Sequence, residues 1–189
     1  MNRKCLQKFQ IKDVVFLAIM SAVALATCAV MPLVISLQPL IFGISQLVTA
    51  LQIGVFFAIG LYKVRKPGSL LLMALMMGLI QLMMSPPMFL SSVLNGILIE
   101  LIVLLLFRGY EKDAAVFWAA MLHTPLSLPF NYLYNRLIKG ADSPLAAVAD
   151  RAPLAAVGMT LAVVAVSALG ALIGIKIARE LKKSGVLKK

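Results

Sequence analysis

Charged residues are scarce in this sequence: they make up 13% of its 189 residues, whereas 62% are hydrophobic. Soluble domains contain about 25% charged and about 45–50% apolar residues. The composition therefore excludes a soluble globular domain and a disordered chain. It also argues against a nucleic-acid-binding protein, although the net charge is +11. A multi-pass membrane protein is predicted.

Residues that bind metals or form disulfides are few, with two cysteines and one histidine. Cys5 lies in a basic N-terminal stretch and Cys28 in an apolar run, so the predicted topology puts them at different depths and we expect no disulfide. His123 has no second His or Cys at ligand spacing. We therefore expect no metal and no cofactor.

The common catalytic motifs are absent as well. The sequence has no G-x-x-x-x-G-K-[ST] loop, no H-E-x-x-H and no G-x-S-x-G. Glu100 and His123 are the only titratable residues deep in apolar runs, and the predicted topology gives no obvious reason for them to meet. Catalysis is not expected, and an intramembrane enzyme is kept only as an alternative.

Six apolar stretches are candidates for membrane spans, for which a helix needs about 20 mostly apolar residues. Turn-forming residues such as Lys66-Pro67-Gly68 and Ser85-Pro86-Pro87 separate them. We predict an all-α, six-helix bundle forming one transmembrane domain over residues 1–189. The predicted spans are about 14–32, 44–62, 69–85, 88–107, 114–137 and 154–178. In the alternative five-helix arrangement, residues 69–107 form one broken, hairpin-like unit.

The distribution of basic residues predicts the orientation. With both termini in the cytoplasm, fifteen Lys and Arg residues fall on the cytoplasmic side, and only Arg136, Lys139 and Arg151 fall outside. This asymmetry follows the positive-inside rule. The net charge is therefore mostly a topology signal, with some attraction to anionic lipid headgroups.

Polar residues concentrate in the outer halves of the predicted spans. Polar groups are costly inside a membrane and tend to face protein, water or ligand. An outward-facing binding pocket above an apolar lower half would produce this pattern, and interhelical hydrogen bonding is the alternative. The predicted substrate-binding residues are Gln46, Thr49, Gln81, Asn95, His123, Asn131, Asn135 and Arg136.

Three of the ionisable residues have open roles. His123 either hydrogen-bonds a neighbouring helix, touches a ligand from below, or ligates a metal or haem. Arg136 either reaches the lipid headgroups or receives an anionic group of a ligand. Glu100 is either protonated or paired with a cation near the cytoplasmic rim.

Small residues recur at four-residue intervals on two predicted helices. Ala18, Ala22 and Ala26 form a smooth ridge on the first span, and Gly170 and Gly174 repeat the interval on the last. Such stripes let another helix approach closely. Either stripe could pack within the bundle or against a partner.

The chain resembles the S components of energy-coupling factor (ECF) importers, the membrane subunits that bind vitamins and other micronutrients. The resemblance rests on the length, the six predicted helices, the two predicted cytoplasmic termini and the Ala18/Ala22/Ala26 ridge. The stretches Lys66-Pro67-Gly68-Ser69-Leu70-Leu71 and Asn95-Gly96-Ile97-Leu98-Ile99-Glu100-Leu101-Ile102 look like a branch of that family with poorly assigned substrates.

The resemblance implies high-affinity capture of a small molecule at the outer face of a prokaryotic plasma membrane. It also implies that the alanine ridge docks on a transmembrane T component, which is coupled to two ATPase subunits. The S component would then topple in the membrane and release its ligand inward. Residues 33–43 would form a mobile outer loop over the pocket. No thiamine, riboflavin, biotin or folate pattern is present, so the ligand is open and a haem-like compound is a minor possibility. A stand-alone facilitator or channel is the alternative function.

Overall fold

The computed structural model describes residues 8–28, 33–34, 36–140 and 143–187, and within them the chain is all-helical. The seven described helices are α1 (Ile11–Thr27), α2 (Ile44–Val64), α3 (Ser69–Leu82), α4 (Pro86–Phe107), α5 (Asp113–Ile138), α6 (Pro144–Arg151) and α7 (Pro153–Lys183). The predicted fold class is confirmed as all-α. Residues 29–32 of the first predicted span, residue 35 of the predicted outer loop, and Cys5 lie outside the described residues.

Three of the described helices, α2, α4 and α7, are long and apolar enough to cross a membrane by length and composition. The 14-residue α3 is also apolar but shorter than these three. Six of the seven helices overlap the six predicted spans, and the short α6 occupies the break between the last two. The number of crossings and the side on which the termini lie stay predictions.

The turns before α3 and α4 contain the glycine and proline residues from which the sequence predicted breaks between helices. Gly68 precedes α3 with φ +89°, a left-handed conformation that strains any residue with a Cβ. Pro86 occupies the first turn of α4, where its missing N–H costs nothing. These turns make consecutive helices from α2 to α5 run antiparallel. The starts of α2 and α4 and the ends of α3 and α5 therefore lie at the same end of the bundle.

One end of the bundle, here called the basic end, is held by ion pairs. Asp113 at the start of α5 pairs with Arg65 after α2 and with Arg179 of α7, whose Nη2 lies 2.6 Å away. The Lys66 Nζ lies 2.6 Å from Asp13 of α1. Burial alone would raise the pKa of Asp113, but hydrogen bonds and positive charge from Arg179 and Arg65 outweigh it and lower that pKa below its ordinary 3.8.

Glu100, whose role the sequence left open, caps a helix near this end. Its carboxylate accepts hydrogen bonds from the Gly68 N–H at 2.7 Å, the Leu71 N–H at 3.4 Å and the Tyr110 hydroxyl at 2.9 Å. The first N–H groups of a helix have no partner within the helix, and a carboxylate there also complements the helix dipole. Glu100 therefore fixes the start of α3 against α4.

A proline in the middle of α5 is compensated by a neighbouring helix. Pro125 has no N–H to donate to the Met121 carbonyl one turn earlier. The Ser167 hydroxyl of α7 donates to that carbonyl instead, at 2.7 Å. The exchange joins α5 to α7 beside His123, which lies between Met121 and Pro125.

The two small-residue stripes have different environments. Gly170 and Gly174 are buried against α2, where a Cβ on either would lie 2.5 Å from a backbone carbonyl oxygen, of Leu51 and Val55 respectively. On α1, Ala22 and Ala26 are exposed and Ala18 is half-buried. The glycine stripe therefore packs within the bundle, whereas the alanine ridge lies mostly on its surface.

Candidate functional site

A cavity of about 580 Å³ opens at the end of the bundle opposite the basic end. Its wall is built by α2, α3, α4 and α5, and its mouth by the segment before α2 and the start of α6. Asn95 lies nine residues into α4, which places it about 14 Å along the helix axis from the mouth. A cavity of this size suits a small organic molecule.

Seven of the eight predicted substrate-binding residues line this cavity together. They are Gln46 and Thr49 of α2, Gln81 of α3, Asn95 of α4, and His123, Asn131 and Asn135 of α5. Their convergence follows from the antiparallel order of the helices, which carries the polar part of each to the same end. Whether they bind a substrate stays a prediction.

Arg136 is the predicted residue that the cavity lining does not include. Its guanidinium pairs with Asp150 of α6, and both side chains are exposed. Asp150 also accepts a hydrogen bond from the Tyr132 hydroxyl at 2.7 Å. Arg136 thus joins α5 to α6 outside the cavity, an arrangement that does not support its predicted role as a ligand contact.

The polar side chains near the mouth are bonded to one another. Gln38 donates to the Ser45 hydroxyl, which donates to the Gln46 Oε1 at 2.8 Å. On the opposite side the Ser143 hydroxyl donates to the Asn135 Oδ1 at 2.9 Å. These bonds hold the segment before α2 and the start of α6 at the rim of the cavity.

The deepest polar side chains are buried without such partners. Asn95 is 1% exposed, His123 3% and Thr124 3%. Their side-chain nitrogen and oxygen atoms have no hydrogen-bond partner among the described residues. The His123 ring also packs against Phe57, with 4.5 Å between ring centroids. No group of three His, Cys, Asp or Glu side chains converges in the described parts of the chain.

The apolar core closes the bundle below the cavity. Phe57, Leu61, Met73, Ile99 and Val116 are fully buried there and belong to one packed cluster. The cavity is therefore open at one end and closed at the other.

Residues 11–183 match the family described as "Hypothetical bacterial integral membrane protein (Trep_Strep)". The chain belongs to this family. It is accordingly a multi-pass protein of the bacterial plasma membrane, as its apolar helices indicate. Curated protein sequences give no significant match to this Trep_Strep chain.

A solved structure described as "Crystal structure of an S-component of ECF transporter" has the same fold as this Trep_Strep chain. The superposition has a TM-score of 0.64 and covers 95% of this chain and 89% of the other, at 21% sequence identity. The resemblance to S components is thus confirmed for the fold.

Sequence reasoning did not assign Gln38, Tyr134, Lys139 or Ser143 to the cavity, although all four line it. Lys139 could have been found, because it continues the four-residue spacing of Asn131 and Asn135 along one helix face. Gln38 and Ser143 could not, since they lie outside the regular helices. The amide of Gln52, in contrast, is polar and at similar depth but does not line the cavity.

Proposed function

We propose that this chain is the substrate-binding S component of an ECF-type importer for a vitamin-like small molecule. In this proposal six helices span the membrane, both termini are cytoplasmic, and the cavity opens to the outside. A T component and two ATPase subunits complete the importer and hydrolyse ATP. The observation that carries the proposal is the polar cavity, closed below by an apolar core and placed opposite the basic end.

The charge distribution supports the outward orientation. The basic end carries Lys66, Arg65 and Arg179, together with the exposed Lys182 and Lys183 of α7. By the positive-inside rule, this end faces the cytoplasm. The cavity then faces outward, as capture of an external nutrient requires.

The exposed alanine ridge supports docking on a T component. Ala22 and Ala26 are exposed, whereas Gly170 and Gly174, at the same spacing, pack within the bundle. Small residues allow a partner helix to approach closely, which promotes association in a membrane. We propose that Ala18, Ala22 and Ala26 form the contact with the T component.

Substitution of the ridge tests this docking. Ala22→Trp should abolish co-purification with the T component and ATPase subunits while leaving ligand binding and the melting temperature unchanged, because the position is exposed. Ala165→Trp, on the exposed surface of α7, is the matched control and should assemble normally. Equal assembly of both variants would remove the ridge from the proposal.

The cavity assignment is tested by binding and transport. The purified protein should retain or bind a small molecule in detergent, and Gln46→Leu combined with Asn131→Leu should weaken that binding. Uptake into liposomes should require the T component, the ATPase subunits and ATP. Uptake by the chain alone would instead favour the facilitator alternative.

A further inference from the structure

The base of the cavity presents five buried polar atoms that no other described residue satisfies. They are the Oδ1 and Nδ2 of Asn95, the Nδ1 and Nε2 of His123 and the Oγ1 of Thr124. Each such atom costs about 1–3 kcal/mol if it is buried without a hydrogen bond. Other polar side chains of the same wall are bonded to the protein: the Ser92 hydroxyl donates to the Ala74 carbonyl, and the Thr49 hydroxyl to the Ser45 carbonyl. Seven buried side-chain atoms have no partner among the described residues, and these five lie at the base of the cavity, whereas the Gln52 Oε1 and the Ser69 Oγ do not line it.

These five atoms define a hydrogen-bonding pattern. The Asn95 amide offers a donor and an acceptor side by side, and an –NH–C(=O)– group presents the complementary pair. The His123 imidazole in its neutral form offers one further donor and one further acceptor, and the Thr124 hydroxyl offers both. A ligand that satisfies this set needs N–H and carbonyl or ring-nitrogen groups along one edge.

The charges around the cavity restrict the ligand further. The described lining residues include no carboxylate, and the charged residue among them is Lys139 at the mouth. A cationic group entering this cavity would lose its hydration without gaining a counter-charge. Ile53 and Met77 add apolar wall beside the polar base, which suits a flat ring.

We propose that the cavity binds an uncharged heterocyclic head group with an amide-like –NH–C(=O)– edge, held at its base by Asn95, His123 and Thr124. A hydroxylated or anionic tail of the ligand would extend towards Lys139. This inference rests on the proposed binding function and specifies the class of its substrate. It excludes organic cations and purely apolar compounds.

A thermal-shift experiment in detergent tests the head group. The probes are a pyridinone, a pyrimidinone and a six-membered lactam, each with its N-methyl counterpart, and N-methylpyridinium as a cation of the same ring size. The compounds with a free N–H should raise the melting temperature at concentrations about tenfold or more below their N-methyl counterparts, because methylation leaves the Asn95 acceptor unpaired. The cation should have no effect.

Two variants connect the result to the base of the cavity. Asn95→Leu should fold and lose the preference for the free N–H compounds, and Thr124→Val, which keeps the side-chain shape, should weaken all of them. Gln52→Leu is the matched control: its Oε1 is also buried and unpartnered, but it does not line the cavity. This variant should keep the wild-type preference. Equal binding of the N-methyl compounds or the cation, or an unchanged preference in Asn95→Leu, would overturn the head-group assignment.

Mass spectrometry of compounds that co-purify with the wild-type protein separates this inference from the function on which it rests. A retained compound with an amide-like edge, lost from Asn95→Leu, supports both. A retained cation or a compound without such an edge overturns the head-group class and leaves the binding function standing. If the protein retains no compound and binds none of the probes, both fail.

Discussion

Two buried polar residues of α4, Asn95 and Glu100, lie five positions apart and have opposite surroundings. Glu100 accepts hydrogen bonds from two backbone N–H groups and the Tyr110 hydroxyl. Asn95 is buried more deeply and has no partner for either amide atom among the described residues. A buried polar group with a full set of partners stabilises the fold, whereas one without partners reduces stability unless a ligand satisfies it. Burial alone does not distinguish the two roles; the partners do.

The largest effect is expected for Glu100→Leu. The substitution leaves the Tyr110 hydroxyl buried without an acceptor and, by removing the acceptor of the half-buried Gly68 N–H, removes the cap of α3. We expect a loss of about 3 kcal/mol in the free energy of unfolding. Unfolding in detergent, followed by circular dichroism, measures it. Glu100→Gln keeps one acceptor oxygen and should lose clearly less; equal stability of Glu100→Leu and wild type would show that the cap is dispensable.

Tyr110→Phe tests one bond of the same network. The ring is fully buried and stays packed, and only the hydroxyl that donates to Glu100 is lost. Burial and the neighbouring negative charge of Glu100 raise the pKa of Tyr110 well above 10.0, so the hydroxyl is protonated and donates at neutral pH. We expect a loss of about 1 kcal/mol. A stability equal to wild type would remove this bond from the network.

Acid should weaken the basic end. The pKa of Asp113 is lower in the folded protein than its ordinary 3.8, so its stabilisation is present above that value and disappears as the pH falls through the folded pKa. We therefore expect the melting temperature to fall below about pH 4. Asp113→Asn should be less stable at pH 7, by no more than about 1 kcal/mol because the pair is partly exposed. Its melting temperature should also vary less with acid, and an unchanged acid dependence would locate the effect elsewhere.

The smallest effect is expected at the base of the cavity. Thr124→Val removes a buried hydroxyl that has no partner among the described residues. The stability without ligand should therefore change by less than about 0.5 kcal/mol or increase slightly. Ser167→Ala provides the contrast on α7, because it removes the hydroxyl that satisfies the Met121 carbonyl and should cost about 1 kcal/mol. Equal losses of stability in the two variants would contradict the distinction between buried polar groups with and without hydrogen-bond partners.

Much of the candidate site could be predicted because polar residues are rare in this sequence. Each amide in an apolar helix is conspicuous, and antiparallel helices bring residues of similar depth together. This reasoning found Gln46, Asn95 and Asn131. Depth alone does not separate these residues from Gln52, which lies on the same helix as Gln46 but does not line the cavity. Rotation about the helix axis decides this difference, and packing between helices sets that rotation.

Arg136 and the two small-residue stripes show the same limit. The sequence predicted that Arg136 lies at the outer end of its helix, which is the cavity end of α5. Its ion-pair partner, Asp150, lies on α6 and reaches Arg136 only because α6 packs against α5. The glycine and alanine stripes have the same spacing and opposite environments. Spacing predicts a surface that permits close approach, and the tertiary structure decides what approaches it.

An all-helical membrane protein with polar groups gathered at one depth follows from the sequence alone, because the cost of polar groups in a membrane leaves few other arrangements. Which of those polar groups hydrogen-bond to one another depends on how the helices pack. Hydrogen bonds require donor and acceptor within about 3 Å, and helix rotation and interhelical contacts determine that distance. The structure thereby separates Glu100, which holds the start of α3 in place, from Asn95, whose amide has no partner among the described residues.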